Sequence, residues 1–250
     1  MQPIGSASLA EQLGLGRGDV VALAGAGGKT TLAYRLAAEA RSAGLRVLVT
    51  TTTHMGAHAE ALVGPVVFEA EGEERLQEAL ATAGRATLLG RRLREDKIEG
   101  VSAERVDELA RQADLVLVEA DGARGRSLKV PAAHEPVVPL STTLLLVLAA
   151  LDVLGQPLGE ACVHRLECVI EATGRTAGDA VDELTLATAL THPSGYLSRV
   201  PRGRRVGVFL NKAEDAPALA AAERTARRLV PPYDFVAAGS ARGGAVRLWP

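Results

Sequence analysis

The stretch Val20–Leu36, VVALAGAGGKTTLAYRL, limits what this chain can fold into more than any other. An apolar run breaks into glycines, a lysine and two threonines follow, and apolar residues then recur at helical spacing. That order predicts a buried strand, a tight turn and a helix. Gly25, Gly27 and Gly28 permit the positive φ and close backbone approach of such a turn. Backbone N–H groups of residues 26 to 31 would ring a phosphate at the helix N-terminus. The expected nucleotide-binding loop is therefore Gly25, Ala26, Gly27, Gly28, Lys29, Thr30 and Thr31. Lys29 would neutralise the β and γ oxygens, the Thr30 hydroxyl would reach Mg²⁺, and Thr31 would touch the α-phosphate. In the spacing G-x-x-x-x-G-K-[ST], Gly28, Lys29 and Thr30 fit the end, whereas Leu23 stands at the first position.

Strands and helices alternate along the rest of the chain. Strands are expected at 19–24, 45–50, 66–69, 86–89, 115–119, 144–150, 205–210 and 235–238, and helices at 31–43, 73–83, 102–112, 160–173, 181–191 and 216–229. Continuously apolar strands separated by helices imply an α/β fold: a mostly parallel sheet covered by helices on both faces, of the P-loop NTPase kind. Residues 1–250 read as a single domain, with 154–201 as a helical insertion.

A phosphate loop needs an acid for its metal, usually at the end of an apolar strand. LVLVEADG supplies Glu119 and Asp121, which alternate and so project to one side. Asp121 is the favoured metal ligand and Glu119 the group that positions an attacking water or hydroxyl, with the two assignments interchangeable; Lys29, Glu119 and Asp121 form the catalytic set. In TTTTHM, residues 50–55, Thr52 and Thr53 could ligate Mg²⁺ as a switch segment does, and His54 reads as structural more readily than catalytic. The next loop, GARGRSLKVPAAHEP, gathers Arg124, Arg126, Lys129, His134 and Glu135 beside those acids, a set suited to clamping a phosphoryl group or an anionic substrate.

Asn211-Lys212 follow a strand directly, with Glu214 where guanine-reading N-K-x-D loops carry an aspartate. Ser240-Ala241, some 30 residues on, resembles the loop that backs the same base. Together they lean toward GTP over ATP. Cys162, His164 and Cys168 do not share a helical face, so they read as packing rather than as a metal site.

Composition narrows the classes. A net charge of −2 argues against a general nucleic-acid binder. Two cysteines cannot build a disulfide framework. The apolar run 144–151 is too short to cross a bilayer, which takes about 20 residues, and MQPIGSASLAEQLGL lacks the pattern of a signal peptide. A cytoplasmic protein with no membrane or nucleic-acid partner is expected, its oligomeric state left open. Of 28 basic residues only four are lysines, and Lys29, Lys129 and Lys212 fall inside the motifs above; Lys97 does not.

GAGGKTT, TTTTHM, EADGARGRSLKVPAAHEPVVP, VHR and FLNKAED, in that order, resemble the YqeC family over about residues 15–245. Its members are labelled selenium cofactor biosynthesis proteins, accessory to selenium-dependent molybdenum hydroxylases. The resemblance implies a P-loop NTPase fold, a role in maturing a molybdenum or selenium cofactor or its hydroxylase, and functional positions at Gly25, Gly28, Lys29, Thr30, Thr52, Thr53, Glu119, Asp121, Lys129, His134, Glu135, Asn211 and Lys212. After His164-Arg165 this chain has Leu166 where relatives are expected to have proline. Three functions follow: an Mg²⁺-dependent GTP or ATP hydrolase, a small-molecule kinase or nucleotidyltransferase acting on a cofactor precursor, and a non-hydrolysing nucleotide-binding scaffold for a hydroxylase.

Overall fold

The computed structural model describes residues 7–56 and 64–250; the first six residues of the N-terminal stretch read above lie outside them. The chain enters through a one-turn helix α1 (Leu9–Gln12), strand β1 (Asp19–Gly25), helix α2 (Lys29–Ser42) and β2 (Val47–Thr51). Next come β3 (Met55–Gly56), β4 (Val66–Phe68), α3 (Glu73–Ala83), β5 (Arg85–Leu89), the pair β6 (Arg92–Arg94) and β7 (Lys97–Ile98), α4 (Ala103–Leu109) and β8 (Leu115–Glu119). The second half holds β9 (Leu128–Lys129), β10 (Leu144–Ala150), β11 (Val163–His164), α5 (Leu166–Thr173) and α6 (Glu183–Thr191). It closes with β12 (Arg205–Asn211), α7 (Ala216–Leu229), β13 (Phe235–Ser240) and β14 (Gly243–Trp249).

Nine strands form the central sheet in the order β14-β13-β12-β10-β1-β8-β2-β5-β4. Every pairing is parallel except β13 with β14. This is an α/β fold, a mostly parallel sheet flanked by helices, with the glycine turn between the central strand β1 and α2. The chain leaves β1 toward β2 on one side and, after β8, crosses to β10 on the other. The carboxyl ends of β1, β2, β8, β10 and β12 therefore share one rim, where ligands of such sheets sit.

Successive strand residues feed opposite faces. Val21 and Leu23 of β1, with Leu146 and Leu148 of β10, pack under α1 and α2 through Leu9, Leu13, Leu32 and Leu36. Ala22, Val147, Val208 and Val236 face the other layer, where Leu186, Ala222 and Leu229 of α6 and α7 cover them. Leu76, Leu80, Val106 and Leu109 of α3 and α4 cover Leu48, Val116 and Val118 further along that face. A wholly buried leucine contributes roughly 2 kcal/mol, so these layers hold the rim in place. Helices α5 and α6, within 154–201, pack into the same core as the sheet.

Helix starts follow the caps. Ser102 Oγ accepts the Arg105 amide, Asp182 the Thr185 amide and Asp215 the Ala218 amide. Several features depart from the sequence reading. The helix expected at 160–173 begins only at Leu166, because Val163-His164 pair in parallel with Leu128-Lys129 and Arg165 takes a left-handed φ of 60°. The loop 120–139, expected to be polar, turns inward at that pairing and buries Leu128, Lys129 and Val130. The sheet also gains β14, whose largely exposed residues form no continuous apolar run.

Candidate functional site

The glycine turn is pressed against the end of β10. Gly27 has φ 79°, and a Cβ there would lie 2.5 Å from Ala150 Cβ. The Ala26 amide is spent on the Leu148 carbonyl at 2.8 Å. Beyond it, the first turn of α2 leaves amides without helical acceptors, the raw material of an anion cradle.

Lys29, at the first position of α2, folds back over that turn. Its ammonium donates to the Gly25 carbonyl at 2.6 Å and lies 3.2 Å from Asp121 Oδ1 and 3.7 Å from Glu119 Oε1. Burial alone would lower its pKa; the carboxylates of Asp121 and Glu119 outweigh burial and raise it. The side chain is thus a buried cation.

The two acids have different surroundings. Glu119, partly exposed, accepts the Thr30 hydroxyl at 2.8 Å. Asp121 is wholly buried, accepts the Gly25 amide at 3.1 Å, and lies between Lys29 and Lys129. Tyr34 is pushed up to about 12 by burial and then by Glu119.

From Asp121 a row of charges runs inward and out again. Lys129 Nζ lies 3.1 Å from Asp121 Oδ2 and donates to Glu135 Oε2 and the Gly122 carbonyl, each at 2.7 Å. Arg165 donates to Glu135 Oε1 at 3.0 Å. Burial would raise the Glu135 pKa, but its hydrogen bonds from Arg165 and Lys129 bring it down to about 2. His164 is held below its ordinary value by burial first and then by Lys129 and Arg165.

A cleft of about 1060 Å³ opens beside Thr30 and Glu119. Its walls come from Thr53 to Gly56, the β6–β7 hairpin, residues 122–126 and residues 160–167. Of the basic-loop residues, Arg124, Arg126 and Glu135 line it. Lys129 does not: its three N–H groups are matched by the Gly122 carbonyl, Asp121 and Glu135 inside the protein. His134 also points elsewhere, its side chain 74% exposed. Thr53 and His54 line the cleft, whereas the Thr52 hydroxyl donates to the Val137 carbonyl at 2.8 Å. Gly25 to Lys29, Thr31 and Asp121 do not line it. The β6–β7 hairpin was not singled out from sequence; the signal that could have found it is Lys97, the lysine left outside the motifs. Cys168 packs against the core, as expected from sequence.

At the other end of the turn, Asn211 joins three segments. Its Nδ2 donates to the Gly27 carbonyl at 2.6 Å, and its Oδ1 accepts the amides of Lys212 at 2.8 Å and Ala241 at 2.7 Å. Ser240 Oγ donates to Glu214 Oε1 at 2.7 Å, and Lys212 Nζ pairs with Asp152. Among the described residues, Arg124, Arg165 and Lys212 are the non-glycine residues with positive φ.

Among the described residues no group of three or more His, Cys, Asp or Glu side chains is placed to hold a metal ion. None of the helices there is long and apolar enough to cross a membrane.

The profile of the YqeC family, described as YqeC protein, matches residues 21–167. The uncharacterized protein YqeC of Escherichia coli (strain K12) is 33% identical over 198 residues, covering 78% of this chain and 77% of its own. Among solved structures, FtsY of Thermotoga maritima is 18% identical with a TM-score of 0.46, covering 93% of this chain and 65% of its own. FtsY of Mycoplasma mycoides is 13% identical with a TM-score of 0.44 and coverage of 93% and 63%. The signal recognition particle 54 kDa protein of Aeropyrum pernix K1, in complex with GDP, is 18% identical with a TM-score of 0.38 and coverage of 92% and 43%. The chain thus spans less than two thirds of the length of these solved relatives.

Proposed function

The chain belongs to the YqeC family, and from that premise we propose that it binds Mg²⁺ and GTP or ATP at the Gly25–Thr31 turn and hydrolyses the nucleotide. The observation that carries this reading is the 2.8 Å hydrogen bond from Thr30 Oγ1 to Glu119 Oε2, with the Lys29 ammonium next to it. A hydroxyl at the start of a helix and a carboxylate at the end of the adjacent strand are the paired oxygen donors that P-loop NTPases use. Mg²⁺ keeps several waters and takes only one or two carboxylates beside phosphate oxygens, so Thr30 and Glu119 fit it without a larger cage. Held by Thr30 and Glu119, the ion would supply positive charge that offsets the charge of the phosphates.

Glu119 is the better candidate for the metal, and Asp121 for setting the lysine. Asp121 has no open side: the Gly25 amide, Lys29 and Lys129 surround its carboxylate. Lys29 would exchange part of its carboxylate contact for phosphate oxygens. Thr53, on the cleft wall, is a further candidate oxygen donor. The pairing of Ser240 with Glu214 beside Asn211 supports a base-reading loop and a preference for GTP. A role in maturing a selenium- or molybdenum-dependent hydroxylase rests on the family resemblance alone.

The test is direct. Purified protein with Mg²⁺ should bind GTP or ATP by calorimetry and release phosphate, and Lys29→Ala should lose both. If the wild-type protein takes up neither triphosphate, the reading fails. If it binds nucleotide without turnover in the presence of candidate hydroxylases, the scaffold reading replaces it.

A further inference from the structure

The cleft beside Thr30 holds more cationic side chains than its own structure uses. Five line it, and two are answered: Arg94 by Asp96 at 3.5 Å and Arg165 by Glu135 at 3.0 Å. Lys97, Arg124 and Arg126 have no ion-pair or side-chain hydrogen-bond partner among the described residues. They come from two separate segments, the β6–β7 hairpin and the loop after β8, and line the same hollow. Arg124 also adopts a φ of 48°, a left-handed conformation that a non-glycine residue rarely takes without a reason.

The cleft touches the phosphate loop only through Thr30 and touches neither Asn211 nor the 240–241 turn. A nucleotide lying along Gly25–Thr31 toward Asn211 would leave it vacant. We infer that the cleft is a second binding site, for a small organic molecule bearing a phosphate or carboxylate group, gripped by Lys97, Arg124 and Arg126 with its other end turned toward Thr30 and Glu119. Glu160 and Glu167, without an ion-pair or side-chain hydrogen-bond partner among the described residues, line it too, so the molecule would carry an amine or other N–H donor as well. Roughly 300 to 1,000 Å³ suffices for ligand pockets of this kind, and the cleft, at about 1060 Å³, is slightly larger than that. The inference rests on the proposed use of the glycine turn by a nucleotide, since that is what makes this a second site.

The probe is O-phosphoethanolamine, followed by ³¹P line broadening on protein saturated with Mg²⁺ and a non-hydrolysable GTP analogue. Broadening is expected in the wild type and should fall at least tenfold in Arg124→Ala/Arg126→Ala and in Lys97→Ala, while affinity for the analogue stays within twofold. Among the described residues none of these side chains has an ion-pair or hydrogen-bond partner to lose, so the variants should fold. Broadening that disappears when the analogue is added would place the probe on the glycine turn and overturn the inference, as would broadening indifferent to all three substitutions. In Lys29→Ala the probe should still bind although the analogue does not. If the wild type fails to take the analogue but its probe signal still depends on Arg124 and Arg126, the nucleotide reading falls and the cleft site stands.

Discussion

Asp121 and Lys129, both with fully buried side chains, hold their charged groups 3.1 Å apart beneath the candidate site. The acid also receives Lys29 and the Gly25 amide, and the lysine also gives to Glu135 and the Gly122 carbonyl. Neither charge is left without a counterpart, and each depends on the other's presence.

Removing one member should therefore be costly. Lys129→Met leaves Asp121 and Glu135 facing each other with one cation fewer. A loss of about 3–5 kcal/mol in unfolding free energy is expected, as for other broken buried pairs. Urea denaturation followed by circular dichroism measures it; a change below about 1 kcal/mol would show that the row is dispensable.

Glu135 makes the same row sensitive to acid. Its folded pKa, about 2, lies below the ordinary 4.5, so the folded state favours its ionised form. The resulting stability is complete above about 4.5 and fades as pH falls toward about 2. The gap in melting temperature between wild type and Glu135→Gln should shrink across that window. A gap that does not change with pH would contradict the assignment.

Asn211 makes three hydrogen bonds, to the Gly27 carbonyl and the Lys212 and Ala241 amides. At about 1 kcal/mol each, Asn211→Ala should cost roughly 2–4 kcal/mol and free the glycine turn from the 240–241 segment. Nucleotide affinity should fall with it, by tenfold or more in calorimetry. Equal affinity in the variant would separate this clasp from ligand binding.

Gly27→Ala tests the turn without touching charge. The added methyl would meet Ala150 Cβ at 2.5 Å in a backbone with φ 79°. Strain and overpacking together should cost at least about 2 kcal/mol, read as a lowered denaturation midpoint at unchanged slope.

Glu119→Gln should keep the Thr30 contact, because an amide oxygen can still accept that hydroxyl. It removes the charge, however. Nucleotide binding without Mg²⁺ should persist while Mg²⁺-dependent hydrolysis drops by two orders of magnitude or more. Full activity in the variant would exclude Glu119 from the metal's surroundings.

The strands and helices that set the sheet were legible because their periodicity is strong: 115–118 and 144–150 are unbroken apolar runs, and 73–83 and 216–229 end where the helix pattern ends. Proximity of Lys29, Glu119 and Asp121 could be read as well, since strand alternation and a motif suffice to align them. What sequence did not reveal was direction. Lys129 looks like any loop lysine until β9 pairs with β11 and turns it inward. The hairpin carrying Lys97 was illegible for another reason: strands of two or three residues leave too short a pattern to register, and only the folded chain brings them across from Arg124.

The parallel sheet divides labour between its two rims. Lys29, Thr30, Glu119, Asp121 and Asn211 all lie at or just past the ends of strands on one side. At the opposite rim, Asp114 binds Arg17, Arg46 and the Arg46 amide just before β8 begins. The two rims can thus drift separately over evolutionary time: substitutions around Asp114 would set how much heat the scaffold withstands, without disturbing the rim that carries Lys29 and Thr30.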